Sequence, residues 1–248
     1  MRSKEEIRAD IWRLLTQRKA ARFPGAAGRI PNFVGAEACA RLLAETSRWK
    51  TAKVLKINPD SPQRAIRQRA FAEGKIIYMA VPRLRSGKPF VELDPKKLGC
   101  SPYAASSIKG ADEYGRPVKL DQMKKIDLIV CGSVAVNNRG ARVGKGGGYS
   151  DLEFALLTQA RKISTKTPIA TSVHPLQIVN EEIPMTDHDI PLNLIVTPDE
   201  VIKVTASYAR PKGIYWSALP QDKIDDIPVL QKLQRERSNS RVSGSKSY

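Results

Sequence analysis

The chain has 248 residues and a mass of 27.5 kDa, of which 41% are hydrophobic and 6% aromatic. This is enough apolar material to bury roughly 70% of the unfolded surface, which excludes wholesale disorder and a small disulfide-stapled scaffold; the length allows one large domain or two small ones. Lys and Arg number 42 against 25 Asp and Glu, and the net charge of +17 points to polyanionic partners: nucleic acid, nucleotide phosphates or polyglutamyl chains.

The charge is uneven, with 13 Lys/Arg against 5 Asp/Glu in residues 1–56. Charges fill the opening MRSKEEIRADIWRLL where a secretory signal needs an apolar stretch, and no apolar run reaches the roughly 18–20 residues of a membrane span. Cys39, Cys100 and Cys131 are odd in number and lack zinc spacing, so reduced thiols and a cytoplasmic protein are expected.

In chain order, residues 3–20 read as an amphipathic helix with Ile7, Ile11, Leu14 and Leu15 on one face, and Ser3 with Glu6 fits a capping box. Residues 23–33 form a Gly/Pro loop, 35–46 a second helix and 52–57 a short strand. The turn at Asn58–Pro62 starts a helix over 62–73, which Glu73-Gly74 stops. The run Arg64, Arg67, Arg69 on that helix reads as a solvated face. A buried strand over 75–81 leads into Pro82-Arg83, and residues 84–122 are irregular except for a short strand at Phe90–Leu93. Strands follow at 126–132, 168–173, 194–197 and 201–205, with a helix over 149–162. Alternating strands and helices predict an α/β fold: a three-layer α/β/α sandwich with a mostly parallel central sheet. We expect one domain over residues 1–215 and a basic C-terminal extension over 216–248, disordered from about 239.

The most informative segment is Arg139-Gly-Ala-Arg-Val-Gly-Lys-Gly-Gly-Gly-Tyr-Ser-Asp151, between a strand and a helix. Glycines let the backbone turn and approach a ligand closely, amides at the following helix start favour anions, and Arg142 and Lys145 add charge. The segment is a phosphate cradle in physical terms, with a flexible basic loop as the plain alternative. It lacks the Gly-Lys-Ser/Thr of a P-loop and the position of a dinucleotide fingerprint.

This motif resembles the signature R-[LI]-G-x-G-x-G-Y-Y-D of the 5-formyltetrahydrofolate cyclo-ligase (methenyltetrahydrofolate synthetase) family. Lys4 and Arg8 resemble the family's N-terminal K-x-x-x-R. Gly74-Lys75 with Val81-Pro82-Arg83, Ile126–Val130 and His188–Thr197 resemble its later segments in order. The resemblance covers roughly residues 3–205. The family's second Tyr is Ser150 here, an Asp of its last motif is Asn193, and its G-E-x-x-T segment, whose Glu holds the pterin, corresponds to Asn58–Gln63 with Asp60 the nearest acid. These changes resemble the branch called methenyltetrahydrofolate synthetase domain-containing proteins.

The resemblance implies an enzyme that uses ATP and Mg²⁺ to close 5-formyltetrahydrofolate to 5,10-methenyltetrahydrofolate, releasing ADP and phosphate. By the same resemblance, Arg142 and Lys145 neutralise transition-state charge. Lys4, Arg8, Gly144, Gly146, Gly147, Gly148 and Tyr149 join them around the nucleotide, Asp151 and Asp189 hold the metal, and Asp60, Tyr78, Arg83 and Tyr149 meet the folate. Tyr78 has core packing as an equal alternative, and Asp151 can serve as a helix-dipole residue instead. His174 and His188 have no partner at ligand spacing and are expected to be structural. The expected partner is a reduced folate, polyglutamylated forms included, on a monomer or weak dimer with no membrane attachment. Two rivals stand beside this reading: an ATP-using enzyme acting on another pterin or amide, and a basic RNA-binding protein, although no RNP-type strand or RGG run is present.

Overall fold

The computed structural model describes residues 1–205 and 208–244. Helix α1 (Lys4–Gln17) begins at the expected capping box, in which the Glu6 amide donates to Ser3 Oγ and the Ser3 amide to Glu6 Oε2. Helices α2 (Ala36–Glu45) and α3 (Ser47–Thr51) lead to strand β1 (Val54–Ile57), followed by α4 (Arg64–Ala72), β2 (Ile76–Ala80) and β3 (Phe90–Leu93). Residues 84–122 hold more order than expected: α5 (Pro102–Ala105), α6 (Ile108–Tyr114) and β4 (Arg116–Val118). Then come β5 (Leu128–Cys131), the hairpin strands β6 (Ala135–Val136) and β7 (Arg142–Val143), α7 (Tyr149–Gln159), β8 (Ile169–Ser172), β9 (Leu194–Val196) and β10 (Val201–Lys203). Helices α8 (Gln221–Asp226) and α9 (Pro228–Gly244) close the described chain.

Among the described residues, eight strands form one sheet in the order β10-β9-β8-β5-β1-β2-β3-β4. The five from β9 to β2 run parallel, and β10, β3 and β4 add antiparallel edges. The parallel strands are buried on both faces, as a sheet covered by helices requires. The two-residue period decides which layer each side chain meets. Leu55, Ile57, Ile77, Met79, Leu128 and Val130 pack with α2 and α4. Val54, Tyr78, Ile129 and Cys131 pack with α7 and with Ile224, Ile227, Val229 and Leu230 of the C-terminal segment. A third cluster seats Ile7, Ile11 and Leu15 of α1 against Ala135 and Val143 of the hairpin.

Helix α9 runs to Gly244, into the stretch from about 239 for which disorder is expected. Residues 245–248 lie outside the described residues. Among the described residues, no helix is long and apolar enough to cross a membrane.

Candidate functional site

The parallel strands end on one edge of the sheet, and the glycine segment is delivered there by the β6–β7 hairpin. Gly146 (φ +106°) and Gly148 (φ +65°) adopt left-handed backbone, which a side chain would strain. Gly148 is also the N-cap of α7. Two loop carbonyls are held by cations: Arg8 Nε donates to Gly144 O at 2.8 Å, and Lys223 Nζ donates to Gly147 O at 2.7 Å. In a trans peptide the carbonyl and the next amide point opposite ways, so pinning these oxygens turns the Lys145 and Gly148 N–H groups away from Arg8 and Lys223. Among the described residues, no loop N–H from Lys145 to Gly148 has a protein acceptor. With the N-terminal dipole of α7, this is a concave array of donors for an anion.

The loop forms one wall of a cleft of about 540 Å³. Arg142, Lys145, Tyr149, Ser150, Asp151 and Glu153 line its loop end, and away from them Pro59, Ala80, Val81, Pro82 and Ile108 give an apolar lining beside Arg83. An adjoining groove of about 530 Å³ shares Pro59, Val81 and Ile108 and continues past Met79 and Val91. Arg142 is buried in the cleft wall. It donates to Gly132 O at 2.9 Å and to Asp151 Oδ1 at 2.8 Å, while its Nε has no partner. Burial opposes its charge, but Asp151 outweighs burial and keeps it a cation. Asp151 Oδ1 also accepts from the Ile190 amide. Lys145 is 51% exposed and approaches Asp60 at 3.8 Å, so its ammonium is available.

Lys4 reaches Asp189 rather than the loop, and Asp189 is fixed further by the Thr186 amide and hydroxyl. Asp151 and Asp189 were both expected at a metal; only Asp151 lines the cleft, and among the described residues no group of three or more His, Cys, Asp or Glu could hold a metal ion. Asp60 and Arg83 line the cleft; Arg83 has left-handed backbone (φ +53°) and, among the described residues, no ion-pair partner. Tyr78 does not reach the cleft. Its side chain is fully buried toward α7, donating its hydroxyl to Glu92 at 2.7 Å and accepting the Lys124 amide. His174 caps a 3-10 turn through Nδ1, and His188 meets Thr186, as structural histidines do.

Three features escaped the sequence. Arg67, read as solvated, is buried with its guanidinium on the carbonyls of Asn58, Pro59, Asp60 and Ser106, and burial pushes its pKa down to about 9. It clamps the turn that carries Asp60. Lys56 and Glu153 form a buried ion pair beneath the cleft, and Lys56 also donates to Asn58 Oδ1. Asn58 Nδ2 in turn donates to Ser150 Oγ at 2.8 Å. Residues at two of the departures from the family pattern therefore touch each other. Lys223 is the third feature. Besides holding Gly147 O, it stands 5.0 Å from the centre of the Tyr149 ring. No motif marked it, since it lies in a short helix beyond the glycine motif and its flanking segments.

A covered parallel sheet with an anion cradle at the carboxyl ends of its strands defines an α/β protein with a phosphate-type loop. Comparison with known proteins narrows the class: residues 1–198 match the 5-formyltetrahydrofolate cyclo-ligase family, and the chain belongs to that family. It is 35% identical over 242 residues to a methenyltetrahydrofolate synthase domain-containing protein of Bos taurus, covering 96% of this chain and 63% of that one. A protein of the same name from Mus musculus is 37% identical over 239 residues, covering 95% and 64%. The chain thus spans less than two thirds of the length of these relatives. The NMR structure of Aquifex aeolicus 5,10-methenyltetrahydrofolate synthetase shares the fold, with a TM-score of 0.52 and 19% identity over 83% of this chain and 95% of that one.

Proposed function

We propose that this protein couples ATP hydrolysis to ring closure of 5-formyltetrahydrofolate, giving 5,10-methenyltetrahydrofolate, ADP and phosphate. One observation carries the reading: a single cleft joins a cationic, N–H-rich loop to an apolar lining able to take a pterin and its aromatic extension. The loop amides and Lys145 hold the transferring phosphates, while Arg8 braces the loop from its other side through the Gly144 carbonyl and Arg142 stands in the wall against Asp151. The formyl oxygen takes the γ-phosphoryl group and ADP departs. The second folate nitrogen then closes on the activated carbon, releasing phosphate with the oxygen, and the nitrogen loses its proton. Such a reaction asks the protein for positioning and charge neutralisation rather than a covalent step.

Mg²⁺ is usually held by one or two carboxylates together with substrate phosphates. Asp151 fits that role from the cleft wall, and the ion would supply neutralisation of phosphate charge. Asp60, Arg83 and Tyr149 are the residues of the reading that meet the folate, and its catalytic unit is residues 1–215, with Lys223 reaching in from beyond. Unpaired cysteines fit a cytoplasmic setting. The test is turnover of 5-formyltetrahydrofolate, followed by the absorbance of the methenyl product. We expect product only with ATP and Mg²⁺, and loss of it in Lys145→Ala. A second reading, an ATP-using enzyme acting on another pterin or amide, is favoured by the Asn58–Ser150 bond at the altered positions. ATP binding without formyltetrahydrofolate binding would select it.

A further inference from the structure

The cations of this protein are unevenly satisfied. Around the cleft several are paired, Lys4 with Asp189, Arg142 with Asp151 and Lys56 with Glu153, while Arg83 and the exposed Lys145 face the cleft itself. At the opposite edge, where the parallel strands begin, two cavities of about 630 and 800 Å³ adjoin and share Arg48, Lys166 and Pro168. Lys125 and Arg161 line the first, and Lys203 lines the second. All five cations are exposed, and among the described residues none makes an ion pair or a side-chain hydrogen bond.

Two further cations shape the groove. Lys162 donates to the carbonyls of Asp121 and Met123, and Arg210 to those of Ser164 and Thr167, so the walls are fixed by the very charges that line them. Two carboxylates line the groove against seven cations: Asp127, whose Oδ2 accepts the amides of Lys53 and Val54, and Glu45. Thr51, Ser164 and Thr165 also line the two cavities. No aromatic side chain lines either cavity.

We propose that this groove binds single-stranded nucleic acid through its phosphates, at a site separate from the cleft. Guanidinium, ammonium and hydroxyl groups at intervals suit a chain of phosphates and sugars. Without aromatic platforms the bases are not stacked, so binding carries no sequence preference. The concave shape admits a strand's backbone, whereas a duplex presents a convex surface.

The test uses a fluorescently labelled 20-nucleotide strand, as RNA and as DNA of several sequences, in polarisation titrations across a salt series. The variant is Arg48→Gln/Lys125→Gln/Arg161→Gln/Lys166→Gln, compared with Lys145→Ala in the cleft. At about 0.7 of slope per phosphate contact, removing four contacts should lower the slope of log affinity against log salt by about 3, with at least tenfold weaker binding at moderate salt. Lys145→Ala should leave strand binding unchanged, and the fourfold variant should keep ATP binding and melt no lower than wild type at any salt concentration of the series. The proposal is overturned if slope and affinity survive the fourfold change, if ATP displaces the strand, or if an acidic polyglutamate peptide binds the groove as tightly.

Discussion

Lys56 stands in the middle of β1, on the face that the two-residue period turns toward α7, so its ammonium meets Glu153 rather than solvent. Burial raises the Glu153 carboxyl pKa, while Lys56 pulls it back down. Removing one partner of a buried pair leaves an uncompensated charge, and Lys56→Met should cost about 3–5 kcal/mol of stability in urea denaturation at neutral pH. Replacing both, Lys56→Met with Glu153→Leu, should recover most of that loss. The sign of the pH effect follows. In the single variant the folded Glu153 pKa lies above its unfolded value near 4.3, so the protonated form stabilises the fold at low pH and that contribution is lost as pH rises. The gap between Lys56→Met and wild type should therefore narrow toward pH 4. Asp189 behaves oppositely. Burial disfavours its charge, but Lys4 and the Thr186 donors outweigh burial and lower its pKa. Its contribution is present above its unfolded value near 3.9 and is lost below it. Asp189→Asn should thus be destabilised at pH 6 and converge with wild type as pH falls to about 2, read by thermal melting at each pH.

At the scale of elements, α8 ties the C-terminal segment to the glycine loop. Ile224 and Ile227 anchor it in the core, and Lys223 projects to the Gly147 carbonyl. A charge-assisted bond of this kind contributes about 1.5–3 kcal/mol, so under the proposed ATP role of the loop Lys223→Met should raise the KM for ATP roughly tenfold or more while kcat moves less. Lys223→Arg should restore part of the affinity, and an unchanged KM would show that the loop holds its shape alone. The elements differ in how readable they are. The parallel strands announce themselves as apolar runs between turn residues, as in Ile126–Cys131, and α1 carries its own capping box. By contrast α5, α6 and β4 are four, seven and three residues long, too short for a pattern to repeat more than about once, and Gly110 and Pro117 fall inside α6 and β4. The glycine loop was legible because its chemistry is contiguous in sequence. The Lys56–Glu153 pair was not, since 97 residues separate its members and neither residue type is expected inside. Asn58 and Ser150 each stood out as departures, but only the meeting of β1 with α7 makes them one contact.

Over the whole molecule, the net charge of +17 includes cations gathered at both edges of the sheet. At the carboxyl ends of the strands the cations are mostly spent on carboxylates and carbonyls; at the amino ends five stand unpaired. Self-repulsion of that excess should be relieved by screening, so the melting temperature should rise by a few degrees between about 10 mM and 200 mM NaCl, and less in the fourfold Gln variant. The outermost strand, β4, settles a different matter. An open sheet ends in a row of backbone groups that another chain can extend by pairing. Here the terminal strand is three residues long and has Pro117 at its centre, exposed and without an N–H to offer, beside the exposed Arg116. The ladder stops there, so even a crowded solution gives neighbouring copies no template on this side along which to polymerise.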